Sequence, residues 1–402
     1  MNFKQLISTI LVAAVAVTCV GFVVHSRRGI SRDSIELSAQ PQSTTRTGEE
    51  RTETATLIAF GDNLIHNVIY NQANARAGGS GYDFYPLYDN IKTMVQAADI
   101  AVINQETVMV GSSAPQSYPM FNTPTQMAKC LADVGFDVAS IATNHSLDMM
   151  SSGLIDTLDL LNDTPGIIPV GAYHSRDEYY DFQIITVNDI KFAFVCYVEH
   201  TNGITLPDDK QDYLIYWDET DDVKNQIEQA RQAADAVVVC MHGGTEYSDS
   251  ENETQREFAQ LCADAGATCI IGTHPHTLQP VDVLRSSDGR DVPVMYSLGN
   301  LVSAQDTSFK RMTGGIVNLT FTKDFSTGEV TVSKPVMDIS VTHYGYGFSN
   351  VKIYTLGQYT DALAKAHGIA DMSIRNLYNH VQTVIGDEYL LEDYRSTKAS
   401  FD

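Results

Sequence analysis

Several polar side chains of the 402-residue sequence directly follow apolar segments, at five separate places. They are Asp62, Glu106, Asn144, His145, His242, His274 and His276, and His66 lies four residues after Asp62. Carboxylate, amide and imidazole groups are the ligands that divalent cations of hard to borderline character prefer. Each residue taken alone could be a helix cap or a loop residue, but their common placement favours one shared site. The sequence therefore predicts a polar site able to bind divalent metal.

The context of the last two histidines supports a built site. Pro275 stands between His274 and His276. Proline fixes its own φ and pushes the residue before it toward extended backbone. We therefore predict an extended segment that holds the two imidazoles in a defined relation.

Short apolar segments that alternate with helical patterns would position these residues. Such alternation indicates an α/β sheet, in which ligands bind at the carboxyl ends of the parallel strands. The strand candidates are residues 56–60, 99–104, 137–143, 191–198, 235–241, 268–272 and 293–298. The helix candidates lie near residues 86–97, 124–134, 152–161, 221–233 and 253–265.

The pattern changes after residue 301. Two apolar segments, 315–322 and 329–340, flank a hairpin-like connection, and apolar residues recur at helical spacing between Ile374 and Val384. We predict one compact domain over residues 55–360, followed by a helical extension over 361–402.

The N-terminal segment 6–24 is apolar and uncharged, with Lys4 before it and Arg27 after it. About 19 helical residues span roughly 30 Å, the thickness of a bilayer core. We predict an uncleaved signal anchor over residues 1–28 and a flexible linker over 29–54. The expected location is the cell membrane, with a single span and the soluble domain outside the cytoplasm.

Composition restricts the possible partners. The chain has 26 basic and 50 acidic side chains, a net charge of −24, which argues against nucleic acid as a partner. A hydrophobic content of 43% excludes a chain that is disordered throughout. Five cysteines lie beyond the predicted anchor, an odd number without a C-x-x-C motif, so buried thiols are expected rather than a disulfide framework.

An ordered series of motifs resembles the bacterial capsule synthesis protein CapA family, whose members act in poly-γ-glutamate synthesis. The resemblance covers roughly residues 56–356. The motifs are GDNLIH (61–66), NQET (104–107), ATNHSLD (142–148), MHGGTEYSDSENETQ (241–255), GTHPHTLQPV (272–281) and YSLGNLVS (296–303).

That family is in turn similar to calcineurin-like metallophosphoesterases, which implies a four-layer α/β/β/α sandwich with a pair of divalent cations. The resemblance does not indicate whether the cations are Mn, Zn, Fe or Mg. The resemblance implies that Glu106 bridges the cations and that His145 is catalytic, close to the reacting group. It implies metal ligation by Asp62, Asn144, His242, His274 and His276. Three features depart from the phosphoesterase pattern: His66 lies four residues after Asp62 rather than the two of Asp-x-His, glutamate replaces the bridging aspartate, and Thr143 replaces a glycine. His66 is therefore expected to border the pocket.

Three functions remain open from the sequence. The first is a membrane-anchored extracytoplasmic protein of capsule or poly-γ-glutamate synthesis or export, with membrane synthase or export subunits as partners. The second is a metal-dependent phosphoesterase or other hydrolase acting on an anionic substrate, and the third is a non-catalytic scaffold. Because an acidic surface repels an anionic polymer, binding would need a locally positive site.

Overall fold

The computed structural model describes residues 51–394 and the short strand Ile35–Leu37. The predicted anchor (1–28) lies outside the described residues, as does most of the predicted linker (29–54). In the described part of the chain, no helix is both long enough and apolar enough to cross a membrane.

The described residues form sixteen strands and nine α-helices. The strands are β1 (Ile35–Leu37), β2 (Thr52–Asn63), β3 (Ile100–Asn104), β4 (Val138–Ser140), β5 (Ile168–Val170), β6 (Ile185–Val187), β7 (Ile190–Val198), β8 (Ala236–His242), β9 (Cys269–Thr273), β10 (Val281–Arg285), β11 (Asp291–Met295), β12 (Asn300–Val302), β13 (Thr313–Asp324), β14 (Val330–Val332), β15 (Val336–Gly345) and β16 (Ser349–Thr355). The helices are α1 (Asn67–Arg76), α2 (Tyr85–Tyr88), α3 (Lys92–Ala97), α4 (Gln126–Val134), α5 (Met150–Asn162), α6 (Thr220–Ala233), α7 (Glu253–Ala265), α8 (Asp361–Ala366) and α9 (Ile374–Ile385).

The strands form two mixed sheets. The seven-stranded sheet has the order β1-β6-β7-β8-β9-β11-β10. The nine-stranded sheet has the order β16-β15-β13-β2-β3-β4-β5, with β12 paired to β2 and β14 paired to β13. Strands β2 to β5 run parallel, and so do β7, β8, β9 and β11. The predicted α/β class is therefore confirmed, and each sheet presents carboxyl ends of parallel strands.

The two sheets pack face to face through a shared apolar core. Leu57 of β2 and Leu319 of β13 are buried cross-strand partners on the inner face. Phe321 lies two residues after Leu319 on the same face of β13. Its ring contacts that of Phe192 of β7 edge to face, with ring centroids 5.0 Å apart. Such a pair contributes about 0.5–1.5 kcal/mol beyond the burial of its area. This core fixes how the strand ends of one sheet stand against those of the other.

Helices cover the outer faces of both sheets. On the nine-stranded sheet, Phe60 of β2 contacts Phe136 at 5.3 Å, and Phe136 contacts Tyr88 of α2 at 6.2 Å. On the seven-stranded sheet a separate apolar cluster includes Trp217, which stacks on Phe258 of α7 at 4.4 Å. The layers therefore run helices, sheet, sheet, helices.

The predicted C-terminal helix is present as α9. Leu377, Val381 and Ile385 are buried at helical spacing and belong to the same core cluster as the two sheets. Beyond α9, the Tyr394 hydroxyl donates a hydrogen bond to the buried Asp338 carboxylate of β15. Side-chain packing therefore joins this region to the nine-stranded sheet.

The seven predicted strands correspond to β2, β3, β4, β7, β8, β9 and β11, and the helix predicted over 253–265 is α7. The continuous helix predicted over 86–97 is wrong, because the chain turns between α2 and α3. The backbone carbonyl of Asn90 accepts from Gln358 Nε2 at 3.2 Å, and the Asn90 side-chain Nδ2 donates to Ile353 O at 2.8 Å, so both bonds tie this turn to a distant segment. The hairpin-like connection predicted after residue 322 joins the antiparallel partners β13 and β14, and the apolar segment 329–340 contains β14 and the start of β15.

The five cysteines between residues 51 and 394 are all buried, and none forms a disulfide. Cys196 and Cys240 are neighbours on adjacent parallel strands of the seven-stranded sheet. Burial raises the pKa of Cys240 to about 12, and it also raises the pKa of Cys196. Buried thiols of this kind are inert because the thiolate is the reactive form, so the expected structural role is confirmed.

Candidate metal centre

The predicted site residues lie at the carboxyl ends of neighbouring strands from both sheets. Asp62 is the next-to-last residue of β2, and Glu106 follows β3 by two residues. His242 is the last residue of β8, directly opposite Thr273 at the end of β9. Asn144 follows β4 by four residues. All of these side chains are buried, so one interior site can collect them.

Close backbone contact determines where Asp62 lies. A Cβ atom on Gly61 would lie 1.8 Å from the carbonyl oxygen of Gly299, so only glycine fits there. The Asp62 amide donates to that same carbonyl at 2.8 Å. In the sheet, Asp62 has Asn104 of β3 as its partner on one side and Asn300 of β12 on the other. The start of the GDNLIH motif is therefore fixed between two asparagines.

Asp62, Glu106 and His276 form a group of potential metal ligands. Their ligand atoms lie within 4.8 Å of one another, and all three residues are buried. His276 stands between the carboxylates, with Nδ1 3.0 Å from Asp62 Oδ2 and Nε2 3.6 Å from Glu106 Oε1. Two carboxylates and one imidazole form a set that suits a divalent cation.

The Glu106 carboxylate has neither oxygen satisfied. Both oxygens are buried and have no hydrogen-bond partner among the described residues. Burial, and next the neighbouring Asp62 carboxylate, raise the pKa of Glu106 well above its ordinary value. Native proteins rarely leave buried carboxylate oxygens without a hydrogen bond, because each uncompensated polar group costs about 1–3 kcal/mol. His276 Nε2, at 3.6 Å from Oε1, lies beyond hydrogen-bond distance. A cation beside both oxygens would remove that cost, so these residues fit a metal.

The protonation of His276 follows from the same carboxylates. Burial alone would lower the pKa of His276, but the Glu106 carboxylate and the hydrogen bond to Asp62 raise it to about 9. Nδ1 also lies 3.1 Å from Asn300 Oδ1. Without a metal, the protonated imidazole therefore supplies the positive charge that a bound cation would supply.

A second group contains Asn144, His242 and His274. His242 Nε2 lies 2.9 Å from Asn144 Oδ1, and His242 Nδ1 lies 2.9 Å from Thr273 Oγ1. The His274 ring lies 5.0 Å from that of His242, and its buried Nδ1 has no partner among the described residues. Burial lowers the pKa of both histidines well below the ordinary value. Both rings are thus neutral at pH 7, the form in which imidazole binds metal.

The backbone around Pro275 differs from the prediction. His274 has φ 99° and His276 has φ 60°, so the extended backbone predicted for this segment is wrong. Positive φ at non-glycine residues costs of order 1–3 kcal/mol and is typical of functional sites. The His274 amide lies 3.4 Å from Asp62 Oδ1, and the Pro275 carbonyl accepts from the Tyr247 amide at 2.7 Å. These bonds hold a tight turn that brings His274 and His276 to one pocket, with ring centroids 6.0 Å apart.

His145 and His66 both pack against one aromatic ring. The Phe121 ring meets His145 at 4.8 Å and His66 at 5.2 Å, both edge to face. His145 Nδ1 lies 2.7 Å from Asp148 Oδ2, a pairing that fixes its ring and leaves Nε2 for other partners. His66 Nδ1 instead lies 3.2 Å from Leu64 O, and burial lowers the pKa of His66 to about 4. Neither His145 nor His66 belongs to the three-residue ligand group.

Sequence reasoning did not single out the residues that orient the ligands. Asn104 Nδ2 donates to Asp62 Oδ1 at 2.9 Å, and Asn104 Oδ1 accepts from Ser140 Oγ at 2.8 Å. Asn300 contacts His276, and Asp148 contacts His145. Such supporting bonds determine ligand orientation. Asn104, Asn300 and Asp148 lie inside the motifs NQET, YSLGNLVS and ATNHSLD. The motifs therefore contain these residues, but they do not by themselves indicate an orienting role.

Comparisons with known proteins concern this part of the chain. Residues 56–305 match the family model described as bacterial capsule synthesis protein PGA_cap. The chain is 31% identical over 194 residues to the PGA biosynthesis protein CapA of Bacillus subtilis (strain 168), covering 46% of this chain and 47% of that protein. It is 29% identical over 184 residues to the capsule biosynthesis protein CapA of Bacillus anthracis, covering 45% and 43%. The chain thus aligns with about half the length of these curated relatives.

Among solved structures, the chain is similar to a novel phosphatase from Mycoplasma pneumoniae. The TM-score is 0.42 at 13% sequence identity, and the alignment covers 72% of this chain and 95% of that one.

Proposed function

Because the chain belongs to the bacterial capsule synthesis protein family, we propose that it acts in the synthesis or export of a poly-γ-glutamate polymer through a divalent metal centre. The observation that carries the metal centre is the buried Glu106 carboxylate, which lacks any hydrogen-bond partner among the described residues and stands beside Asp62 and His276. The name of the relative from Bacillus subtilis, a PGA biosynthesis protein, supports the polymer.

The two groups of residues would hold a pair of cations. Glu106 lies between the groups in the proposed arrangement, with Asp62 and His276 on one side. The other side is formed by Asn144, His242 and His274. When bound, divalent metal supplies Lewis acidity and positive charge for an anionic substrate.

The chain's own residues supply positioning and proton transfer. Asp148 holds His145 by Nδ1, so His145 Nε2 can hold or donate a proton at the reacting group. Asn104 and Asn300 keep Asp62 and His276 in fixed orientations. The burial of these ligands keeps bulk water out of the centre.

We further propose that the protein is anchored in the cell membrane with its soluble domain outside the cytoplasm. The apolar segment 6–24 and the basic residues that follow it support this location. There the protein would meet membrane synthase or export subunits as partners.

The test is metal analysis of the purified full-length chain together with polymer production in cells. Glu106→Gln should lose metal and polymer, because an amide cannot neutralise two cations. Glu228→Gln is the matched control, since Glu228 is exposed on α6 and is not one of the proposed ligands. Polymer production at the normal level by a metal-free Glu106→Gln variant would contradict the metal-dependent role and support a scaffold.

A metal-dependent phosphoesterase is the second candidate. The His145–Asp148 pair beside Asn144 favours it, because a positioned imidazole is the usual proton donor to a leaving group. A screen of phosphoesters with metal-loaded protein tests this function. Turnover that falls at least about 100-fold in His145→Gln, with metal content unchanged, would establish it.

A further inference from the structure

Arg311 lies at the edge of the metal centre, in the turn Phe309–Met312 between β12 and β13. Its guanidinium carbon Cζ lies 3.4 Å from the centroid of the Tyr247 ring. The Tyr247 ring lies 5.9 Å from the His276 ring, tilted by 30°. A single aromatic side chain therefore connects Arg311 to a predicted metal ligand.

The backbone around Tyr247 keeps that ring in place. Tyr247 has φ 65°, a backbone conformation that residues other than glycine rarely adopt without support. Its amide donates to the Pro275 carbonyl at 2.7 Å, which ties the loop to the turn carrying His274 and His276. Tyr247 is also 41% exposed, so its ring forms part of the entrance.

The backbone of Arg311 is tied to the same histidine by another route. The Arg311 carbonyl accepts from Asn300 Nδ2 at 2.9 Å. Asn300 Oδ1 in turn lies 3.1 Å from His276 Nδ1. The backbone and the side chain of Arg311 are thus both positioned relative to His276.

Arg311 forms no ion pair over residues 51–394, since no carboxylate oxygen lies within 4 Å of its guanidinium nitrogens. The adjacent Lys310, by contrast, forms an ion pair with Asp249. A chain with a net charge of −24 thus keeps an uncommitted guanidinium beside the ligands.

We propose that Arg311 is the anion-recognition residue of the metal centre and that its substrate carries an oxyanion, a carboxylate or a phosphate, next to the reacting group. A guanidinium stacked on an aromatic face keeps its N–H edges available for bidentate bonds to such an anion. Stacking also orders the side chain before binding, which lowers the entropy cost of recognition. This assignment rests on the proposed function, and it provides the locally positive site that an acidic surface requires for an anionic polymer.

The experiment measures binding of two probes to the full-length protein by calorimetry. The probes are a γ-linked glutamate oligomer and inorganic phosphate, which distinguish the two sources of the oxyanion. Arg311→Met should weaken binding of the true ligand about 10–100-fold, because charge-assisted bidentate bonds are lost. Arg311→Lys should recover part of the loss, since lysine keeps the charge without the planar fork. Metal content should stay at the wild-type level in both variants.

Lys310→Met is the matched control, because it removes a positive charge from the neighbouring position that already has a partner. It should change binding less than about threefold, within the effect of a screened surface charge. Equal weakening by Lys310→Met would show a general charge effect and overturn the assignment. Unchanged binding of both probes in Arg311→Met would also overturn it, and so would loss of metal from that variant.

Titration of metal-free protein separates this assignment from the proposed function. If wild-type protein takes up no metal, the metal centre fails. Arg311 is then judged by whether Arg311→Met weakens probe binding in the metal-free state. If metal binds and both proteins bind the probes equally, the metal centre stands and the Arg311 assignment fails.

Discussion

Replacing Glu106 with glutamine should make the metal-free protein more stable. The wild-type carboxylate is buried without a hydrogen-bond partner among the described residues, next to the Asp62 carboxylate. An amide of nearly the same shape carries no charge, so it removes the burial cost of the carboxylate and its repulsion from Asp62, which together outweigh the attraction to His276 that is also lost. An uncompensated buried polar group costs about 1–3 kcal/mol, so the free energy of unfolding should rise by up to that amount at pH 7.

The pH dependence of stability gives a second test of the effect of Glu106. The pKa of Glu106 is raised in the folded state, so the unfolded chain loses this proton first as pH rises. The contribution of Glu106 to stability should therefore fall as pH rises above about 4.5, by up to about 1.4 kcal/mol per pH unit. His276, with its folded pKa raised to about 9, contributes stability that is complete below about pH 6.5 and is lost as pH rises through 9. The buried His66, His242 and His274 have lowered pKa values and make stability rise with pH over the same range, but they are present in both proteins. The difference in stability between the wild type and Glu106→Gln from pH 4.5 to 6.5 therefore reports Glu106.

Metal should reverse the order of stability. A ligand that binds only the folded state at 100 times its Kd adds about 2.7 kcal/mol. Wild-type protein should gain this amount and Glu106→Gln should gain little, because its amide cannot balance the cations.

The assay is thermal unfolding of full-length protein with and without a chelator, at several pH values between 4.5 and 8. Glu228→Gln serves as the control and should match the wild type in every condition. If Glu106→Gln lowers the melting temperature of metal-free protein and keeps the metal-induced gain, Glu106 is an ordinary structural carboxylate and the reasoning fails.

Further outcomes follow from the site and the core. His66→Ala should leave metal content within error of the wild type in elemental analysis, since Nδ1 faces backbone atoms; a loss of metal would make His66 a ligand. His242→Ala should lower metal content and leave the circular dichroism spectrum unchanged, whereas unfolding without an effect on metal would assign it to structure. Phe192→Ala should cost about 3–5 kcal/mol in denaturant unfolding, because it removes the edge contact with Phe321 between the sheets; a cost below 1 kcal/mol would contradict that packing. The apolar segment 6–24 should remain on the mature protein in N-terminal sequencing, and a start beyond it would refute the anchor.

The sequence predicts the strands and the strand ends that carry the site residues. Apolar segments such as 235–241 end at a histidine, and parallel strands bring such ends to one edge, so His242 could be located without coordinates. Helix α1 was not predicted, because only Ile69 and Ala73 of its ten residues are buried and the apolar period is weak. Local periodicity detects an element only when one of its faces is apolar.

The finer structure of the site could not be predicted, because it depends on contacts between distant segments. Asn104 and Asn300 act on Asp62 and His276 across strands, and no local pattern distinguishes such an asparagine from a turn residue. The conformation around Pro275 also differs from the local preference of the residue before proline. There the bonds to Asp62 and Tyr247, which come from other parts of the chain, hold positive φ angles that local rules disfavour.

The burial of the cysteines has a practical consequence for the study of assembly. Since the five thiols between residues 51 and 394 are buried and their thiolate forms are disfavoured, maleimide reagents should leave them unmodified in the folded protein. A thiol introduced at Tyr346, which is 96% exposed, would then be the accessible thiol of that region. Tyr346→Cys could carry a photo-crosslinker or a spin label without prior removal of these five cysteines. Surface positions could thus be scanned one by one to map which face of the protein meets its neighbours in living cells.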